Sequence, residues 1–184
     1  MDFQSKVAQL QEKYYKENGK NRIFKSTQKN ECAQLVSTNI DNSVLFANTI
    51  YIIPKTNKIY FDYIFFKSYA NASIFNEFVE YTYNLIDICI KTYNTYAFHI
   101  NWNSYTISSH ERYKGLYKIF LDKYQDGNFN FHEHLTDMYV YYTPNVIQAI
   151  SGLMKPLLHP DVLSKIILIN KSDSEHHIKT LLSK

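Results

Sequence analysis

A chain of 184 residues is long enough for one domain with a sizeable core. Its net charge of +3 is small and scattered, which excludes a basic nucleic-acid-binding surface. The first residues are polar and charged, unlike a secretory signal peptide, and no apolar run approaches the ~20 residues of a membrane-spanning helix. The cysteines, Cys32 and Cys89, lie outside metal and redox spacings, so we expect free thiols in a reducing cytosol. These features predict a cytoplasmic protein, peripheral at membranes, and the frequent Tyr, Asn, Ile and Lys are typical of an AT-rich protozoan or viral genome.

The first third of the chain is predicted to contain a helix, a loop and a β-hairpin. Asp2 is a suitable N-cap for a helix with apolar residues at helical spacing, either packed on the domain or touching a membrane. Residues 22–42 are polar and weakly patterned, which predicts a loop with one short helical turn. Val44–Ile53 and Ile59–Phe66 are β-branched and aromatic runs on either side of a turn-forming segment. This arrangement predicts the hairpin.

Helices and strands alternate after the hairpin. Asn71 and Ser73 are candidate N-caps for a long amphipathic helix. Thr95–Trp102 is a strand apolar enough to be central in a sheet. Ser108 and Glu111 have the spacing of a capping box that opens a further amphipathic helix.

The last fifty or so residues predict a strand, a helix, a second strand and a short final helix. Met138–Tyr142 is a short apolar strand, after which Thr143 and Pro144 provide the N-cap and first position of a helix that ends near Leu158. Ile166–Ile169 is the second strand. Two strands joined by a helix of this length indicate a parallel crossover. The whole pattern therefore predicts an α/β sandwich around a mostly parallel sheet.

Three short blocks in this stretch carry a family resemblance: Tyr142-Thr143-Pro144, then Lys155-Pro156-Leu157-Leu158-His159-Pro160, then Ser164-Lys165-Ile166. In order and with ungapped spacing, they resemble the NAP-like turn, the KPFLDP helix end and the SKI strand start of the CRAL-TRIO lipid-binding domain. This is the fold of the fungal phosphatidylinositol/phosphatidylcholine transfer proteins. The resemblance covers the chain from about Val44 onward. It implies that the sheet forms the floor of an apolar pocket and that the helix 144–158 is a movable lid.

The resemblance also bears on domain organisation. We predict an N-terminal helix in residues 1–21 and a single CRAL-TRIO-like domain in residues 22–184. The family's usual N-terminal helical subdomain is then reduced to one helix, and residues 103–107 lack the Asp-x-x-Gly-like turn of many members. A subfamily found in Rho-GTPase regulators, often described as protein-interaction modules, tolerates these departures. It provides an alternative in which the partner is a small GTPase and no lipid is bound.

The sequence gives only weak evidence for a metal site or a catalytic site. On a strand, His132-Glu133-His134 would place both histidines on one face, but no third metal ligand stands at a diagnostic spacing, so we expect no metal. His176-His177 is expected on the surface. The sequence contains no Gly-x-Ser-x-Gly elbow, no His-Glu-x-x-His motif and, with four glycines, no phosphate-binding Gly-rich loop. We therefore expect no enzyme and no cofactor, and a hydrolase with a scattered triad is a distant third hypothesis.

The resemblance implies a headgroup site and a pocket. Glu133 and Lys165 fall at the positions of a Glu and a Lys that contact the inositol phosphate in phosphatidylinositol-transfer members, and Val162 replaces a Thr that accompanies that Lys. The alternative is that both charges are ordinary surface residues. The predicted pocket residues are Phe98, Ile100, Trp102, Val140 and Tyr142 in the floor, and Ile150, Leu153, Met154, Leu157 and Leu158 in the lid.

The resulting expectation is non-enzymatic lipid binding and transfer. The ligand is a phospholipid, a phosphatidylinositol or phosphoinositide, and a membrane surface is a transient partner. Burying each acyl methylene is worth roughly 0.8 kcal/mol, so two chains represent on the order of 25 kcal/mol that the pocket must nearly match. The alternative is a protein-interaction scaffold whose pocket is filled by its own side chains.

Overall fold

The computed structural model describes residues 3–21, 23–126, 131–143, 152 and 158–183. Within these ranges, five strands form one sheet in the order β1-β2-β3-β4-β5. The strands are β1 (Ile50–Ile52), β2 (Lys58–Asp62), β3 (Tyr96–Asn101), β4 (Leu135–Tyr141) and β5 (Ile166–Leu168). The helices are α1 (Phe3–Asn18), α2 (Lys25–Asn39), α3 (Asn42–Ala47), α4 (Tyr63–Phe66), α5 (Phe75–Tyr93), α6 (Ile107–Asp126), α7 (Phe131–His134), α8 (Pro160–Ser164) and α9 (Lys171–Leu182), with a 3-10 turn at Ala72–Ile74.

The sheet is mostly parallel, which confirms the predicted fold class. β1 and β2 form the expected antiparallel hairpin, with Ile52 opposite Ile59. β2, β3, β4 and β5 pair in parallel, and Ile100 lies beside Val140 in the centre of the sheet. β4 and β5 are the two strands of the predicted parallel crossover. The connecting lid helix predicted for residues 144–158 lies outside the described residues, apart from positions 152 and 158.

The predicted loop at residues 22–42 is wrong, because most of it is the 15-residue helix α2. Its sequence is polar since it buries only a narrow stripe, which contains Cys32, Ala33 and Val36. The Tyr14 hydroxyl of α1 donates to the Glu31 carboxylate of α2 at 2.6 Å. Three helices, α1, α2 and α3, therefore precede the sheet, where the sequence predicted one.

The long first strand predicted for Val44–Ile53 is also wrong in its first half. Asp41 accepts a hydrogen bond from the Ser43 amide and thereby caps α3, so the chain is helical through Ala47. The second predicted strand ends early for the same reason, since Asp62 accepts from the Ile64 amide and caps α4. Two short Asp caps thus override the β-favouring side chains that follow them.

Two further local predictions fail. The Ser108 capping box does not form, because α6 begins at Ile107 and the Thr106 hydroxyl accepts from the Ser109 amide at 3.2 Å instead. His132 and His134 lie on the short helix α7 and not on a strand. Residues two apart on a helix point about 200° away from each other, so these histidines do not share a face.

An aromatic core holds α5 and α6 over the sheet. Phe66 packs against Phe78 of α5 and Tyr113 of α6, with ring centroids 4.9 and 5.2 Å apart. Tyr69 is fully buried, and its hydroxyl donates to the Thr49 hydroxyl at 2.8 Å, so burial costs it no hydrogen bond. This core fixes the distance between the two helices and the sheet.

No helix among those described is long and apolar enough to cross a membrane.

Candidate functional site

A cavity of about 500 Å³ lies between the sheet and the helices α5 and α6. This volume falls within the range of about 300–1,000 Å³ that is usual for small-molecule pockets. Its floor consists of apolar side chains from the two central strands: Phe98, Ile100, Met138 and Val140. The site is therefore a built apolar space and not a surface groove between loops.

Strand periodicity explains why the floor is apolar. Side chains alternate between the two faces of a strand, so Phe98 and Ile100 face the cavity while His99 faces the other side. On the neighbouring strand, Met138 lines the cavity and Tyr139 stacks on His99 with ring centroids 4.7 Å apart. The polar residues that interrupt these strands thus lie on the face opposite the cavity.

The walls come from the amphipathic stripes of two helices. α5 contributes Phe78, Val79, Thr82, Tyr83 and Ile86, and α6 contributes Tyr113, Leu116, Tyr117, Phe120 and Leu121. The Thr82 hydroxyl donates to the Phe78 carbonyl oxygen, and the Tyr83 hydroxyl donates to the Phe120 carbonyl oxygen, both at 2.9 Å. Because these hydroxyls are engaged within the protein, the side chains present mainly carbon to the cavity.

A second group of aromatic residues closes the end of the cavity beside β3. Trp102 stacks on Tyr105, with ring centroids 4.6 Å apart and planes 10° from parallel. The Tyr105 and Tyr117 hydroxyls hydrogen-bond to each other, and burial raises the pKa of both phenols. Both therefore stay neutral at physiological pH. Tyr113 is the exception in hydrogen bonding, since its buried hydroxyl has no partner among the described residues.

The opposite edge of the cavity is polar. His132 of α7 and His159 at the start of α8 both line the cavity there, and their rings stack with centroids 4.1 Å apart. The Lys165 ammonium donates to the His132 carbonyl oxygen at 2.7 Å. Glu133 follows His132 directly and is exposed. Neither Lys165 nor Glu133 lines the cavity itself: Lys165 is joined to His132 by this hydrogen bond, and Glu133 is its neighbour along the chain.

Five of the six described residues that the sequence predicts for a lipid pocket border the cavity, and their contact with a lipid stays a prediction. Phe98, Ile100, Trp102, Val140 and Leu158 line the cavity. Tyr142 is not a lining residue, because β4 ends at Tyr141 and Tyr142 has a left-handed φ of 52°, which breaks the alternation of the strand. Ile150, Leu153, Met154 and Leu157 lie outside the described residues.

Sequence reasoning missed the walls and the paired histidines. The sequence pattern identifies α5 and α6 as amphipathic helices, but amphipathicity alone does not show whether an apolar stripe packs directly on a sheet or borders a cavity. The pairing of His132 with His159 has no counterpart in sequence spacing. His134, its predicted partner, hydrogen-bonds to the Asn94 carbonyl oxygen at 2.8 Å.

The chain was compared with known protein families and with curated proteins. A sequence model of the CRAL/TRIO domain matches residues 38–184, which include the sheet, α5, α6 and both edges of the cavity. No curated protein matches the chain.

Proposed function

The chain belongs to the CRAL/TRIO domain family, a lipid-binding family, and on that premise we propose that it carries a phospholipid in the cavity without converting it chemically. The observation that supports this most directly is the apolar cavity of about 500 Å³ between sheet and helices. An acyl chain leaves a bilayer only for a comparably apolar environment, since each exposed methylene costs roughly 0.8 kcal/mol. The floor and walls provide such an environment.

The polar edge supports a phosphatidylinositol or phosphoinositide as the ligand. An ammonium group binds phosphate oxygens, and a carboxylate accepts hydrogen bonds from inositol hydroxyls. Lys165 and Glu133 supply these groups beside His132. The headgroup phosphate takes the place of the His132 carbonyl oxygen as the partner of the Lys165 ammonium. Loading and release take place at a membrane surface, which the protein contacts transiently.

The shape of the cavity argues against a scaffold with a collapsed pocket. Many aromatic side chains face inward, as a filled pocket would require, yet they pack against one another along the walls. Tyr83 and Phe120, for example, stack with ring centroids 4.9 Å apart and leave the space beside them open. An interaction module for a small GTPase has no need of this space.

Native mass spectrometry of the purified protein, followed by organic extraction and lipid identification, tests the proposal. We expect one phospholipid per chain, or uptake of one from mixed liposomes by protein that was purified without lipid. A mass that equals that of the polypeptide, together with no uptake from liposomes, contradicts a lipid carrier and favours the interaction module.

Replacing Lys165 with Met is expected to lower the preference for a phosphoinositide over phosphatidylcholine by roughly tenfold, because only the phosphoinositide carries ring phosphate in addition to the phosphodiester that both lipids share. A hydrogen bond to a charged group contributes about 1.5–3 kcal/mol, and Met retains the apolar stem. The measurement is competitive loading from liposomes that contain both lipids. Lys171→Met, at an exposed position at the start of α9, is the control and should keep the wild-type ratio. Equal weakening for both lipids in Lys165→Met would show that Lys165 does not recognise the inositol headgroup.

A further inference from the structure

The two stacked histidines at the cavity edge have an acidic neighbour. His132, His159 and Asp161 each offer one ligand atom, and these three atoms lie within 4.8 Å of one another. Nδ1 of His159 is 3.5 Å from Oδ2 of Asp161. His132 is half-buried, and the side chains of His159 and Asp161 are 41% and 59% exposed, so a solvated ion can reach the group.

We propose that His132, His159 and Asp161 bind a Zn²⁺-class divalent ion at the edge of the cavity. Three protein ligands of the His and Asp type, with a fourth position left for water or a ligand, are a common set for Zn²⁺. Imidazole nitrogens select Zn²⁺, Cu²⁺ or Ni²⁺ over Ca²⁺ and Mg²⁺, which prefer oxygen. The proposal rests on these three side chains and is independent of the lipid carried in the cavity.

The distances require a small closure. Ligand bonds of about 2.0–2.2 Å place tetrahedral ligand atoms about 3.4 Å apart. The 3.5 Å between His159 and Asp161 already matches this spacing, whereas the largest separation in the group, up to 4.8 Å, must shorten by up to about 1.4 Å. An imidazole binds a metal in the plane of its ring, so the two rings, stacked with planes 26° from parallel, must also turn about their χ angles until both planes contain the ion.

Metal binding also removes one hydrogen bond, the one that His159 accepts from the Asp161 amide. Nδ1 of His159 accepts from the Asp161 amide at 3.3 Å and so caps α8. An imidazole that binds a metal through one nitrogen carries its proton on the other, so neither nitrogen then accepts from the amide. The cap bond is long and exposed, and its loss costs little compared with a metal–nitrogen bond.

The ion would join two separate parts of the fold. His132 belongs to α7, which precedes β4, and His159 and Asp161 belong to the start of α8, which precedes β5. Lys165 is nearby, and its ammonium donates to the His132 carbonyl oxygen at 2.7 Å. Binding therefore fixes α7 to α8 beside the cavity.

Isothermal titration of the full chain with ZnCl₂, after chelator treatment, tests the site. We expect one equivalent of Zn²⁺, a rise in melting temperature on binding, and joint shifts of the His132 and His159 ring resonances in NMR spectra. Ca²⁺ and Mg²⁺ should not compete. His132→Ala, Asp161→Asn and His159→Asn, which keeps a side chain able to cap α8, should each weaken binding by roughly 10–100-fold, the loss found even for groups that only support metal ligands.

The control removes the same number of imidazoles elsewhere. His176 and His177 are exposed on α9, and the double variant His176→Ala/His177→Ala should bind Zn²⁺ as the wild type does. The proposal is overturned by the absence of Zn²⁺ binding, by unchanged affinity in His132→Ala, or by loss of binding in the control. Equal melting temperatures of all variants without Zn²⁺ would show that each is folded.

Discussion

The double variant Ile100→Trp/Met138→Trp is expected to carry at least roughly tenfold less phospholipid than the wild type while remaining folded. Both side chains line the cavity floor and are half-buried because they border empty space. Added indole rings therefore occupy the volume of the ligand and do not strain a filled core. Bound lipid per chain, measured by extraction and mass spectrometry, gives the result.

Tyr139→Trp provides the matched control for this experiment. Tyr139 lies next to Met138 on the same strand but on the opposite face, where it stacks on His99. The same new side chain should leave lipid loading unchanged there. Near-UV circular dichroism and thermal melting must show that all variants are folded. Normal loading of the double variant would place the lipid somewhere other than this cavity.

The free energy of unfolding is expected to fall by about 3 kcal/mol between pH 6.5 and pH 4 through His99 alone. The ring is 3% exposed, and burial, with a smaller contribution from Lys58, lowers its pKa to about 4 from 6.5. Nδ1 hydrogen-bonds to the Tyr141 hydroxyl at 2.8 Å, and Nε2 has no partner among the described side chains. Protonation would therefore place an uncompensated charge inside the sheet packing.

Stability falls as the pH falls because the unfolded chain binds a proton at His99 more readily than the folded chain does. Below pH 6.5 the unfolded chain protonates His99 while the folded chain does not, so stability is complete above this pH and is lost until the folded form also protonates near pH 4. Denaturant unfolding at several pH values measures the slope. His99→Phe keeps a ring on Tyr139 but cannot titrate, and its slope over this window should be shallower than that of the wild type.

His177→Phe, at an exposed position on α9, serves as the control for that comparison. It removes an imidazole of ordinary exposure and should leave the pH dependence unchanged. If wild type and His99→Phe lose stability with the same slope, the acid sensitivity of the fold arises from other groups.

The sequence predicts correctly those elements whose own residues form a clear apolar pattern. β3 and β4 are short runs of β-favouring side chains, and their two-residue period identifies most of the cavity floor. α2 was not predicted because only a narrow stripe around Val36 is buried, and a polar sequence gives little periodic signal. α3 escaped because one Asp41 cap reversed the preference of the residues after it.

The candidate site is less accessible to sequence reasoning for a physical reason. Its edge is assembled by contacts between elements that are distant along the chain, such as α7 and α8, and spacing within a segment carries no information about them. Tyr142 shows a different error, because the two-residue period of β4 predicts a cavity-facing side chain there although the strand ends one residue earlier.

The division of the chain into an N-terminal helix in residues 1–21 and a single domain in residues 22–184 stays a prediction.

The two faces of the central strands have different roles: one borders the cavity, and the other packs against the rest of the protein. Residues 98, 100, 138 and 140 face the cavity, whereas His99, Tyr139 and Tyr141 form a stacked row on the reverse side. A mutant library confined to the first set should change which hydrophobic molecules are accepted at little cost to folding. Selection on the second set should change heat and acid tolerance without changing ligand choice. Ligand range and robustness can thus be altered separately within the same few strands.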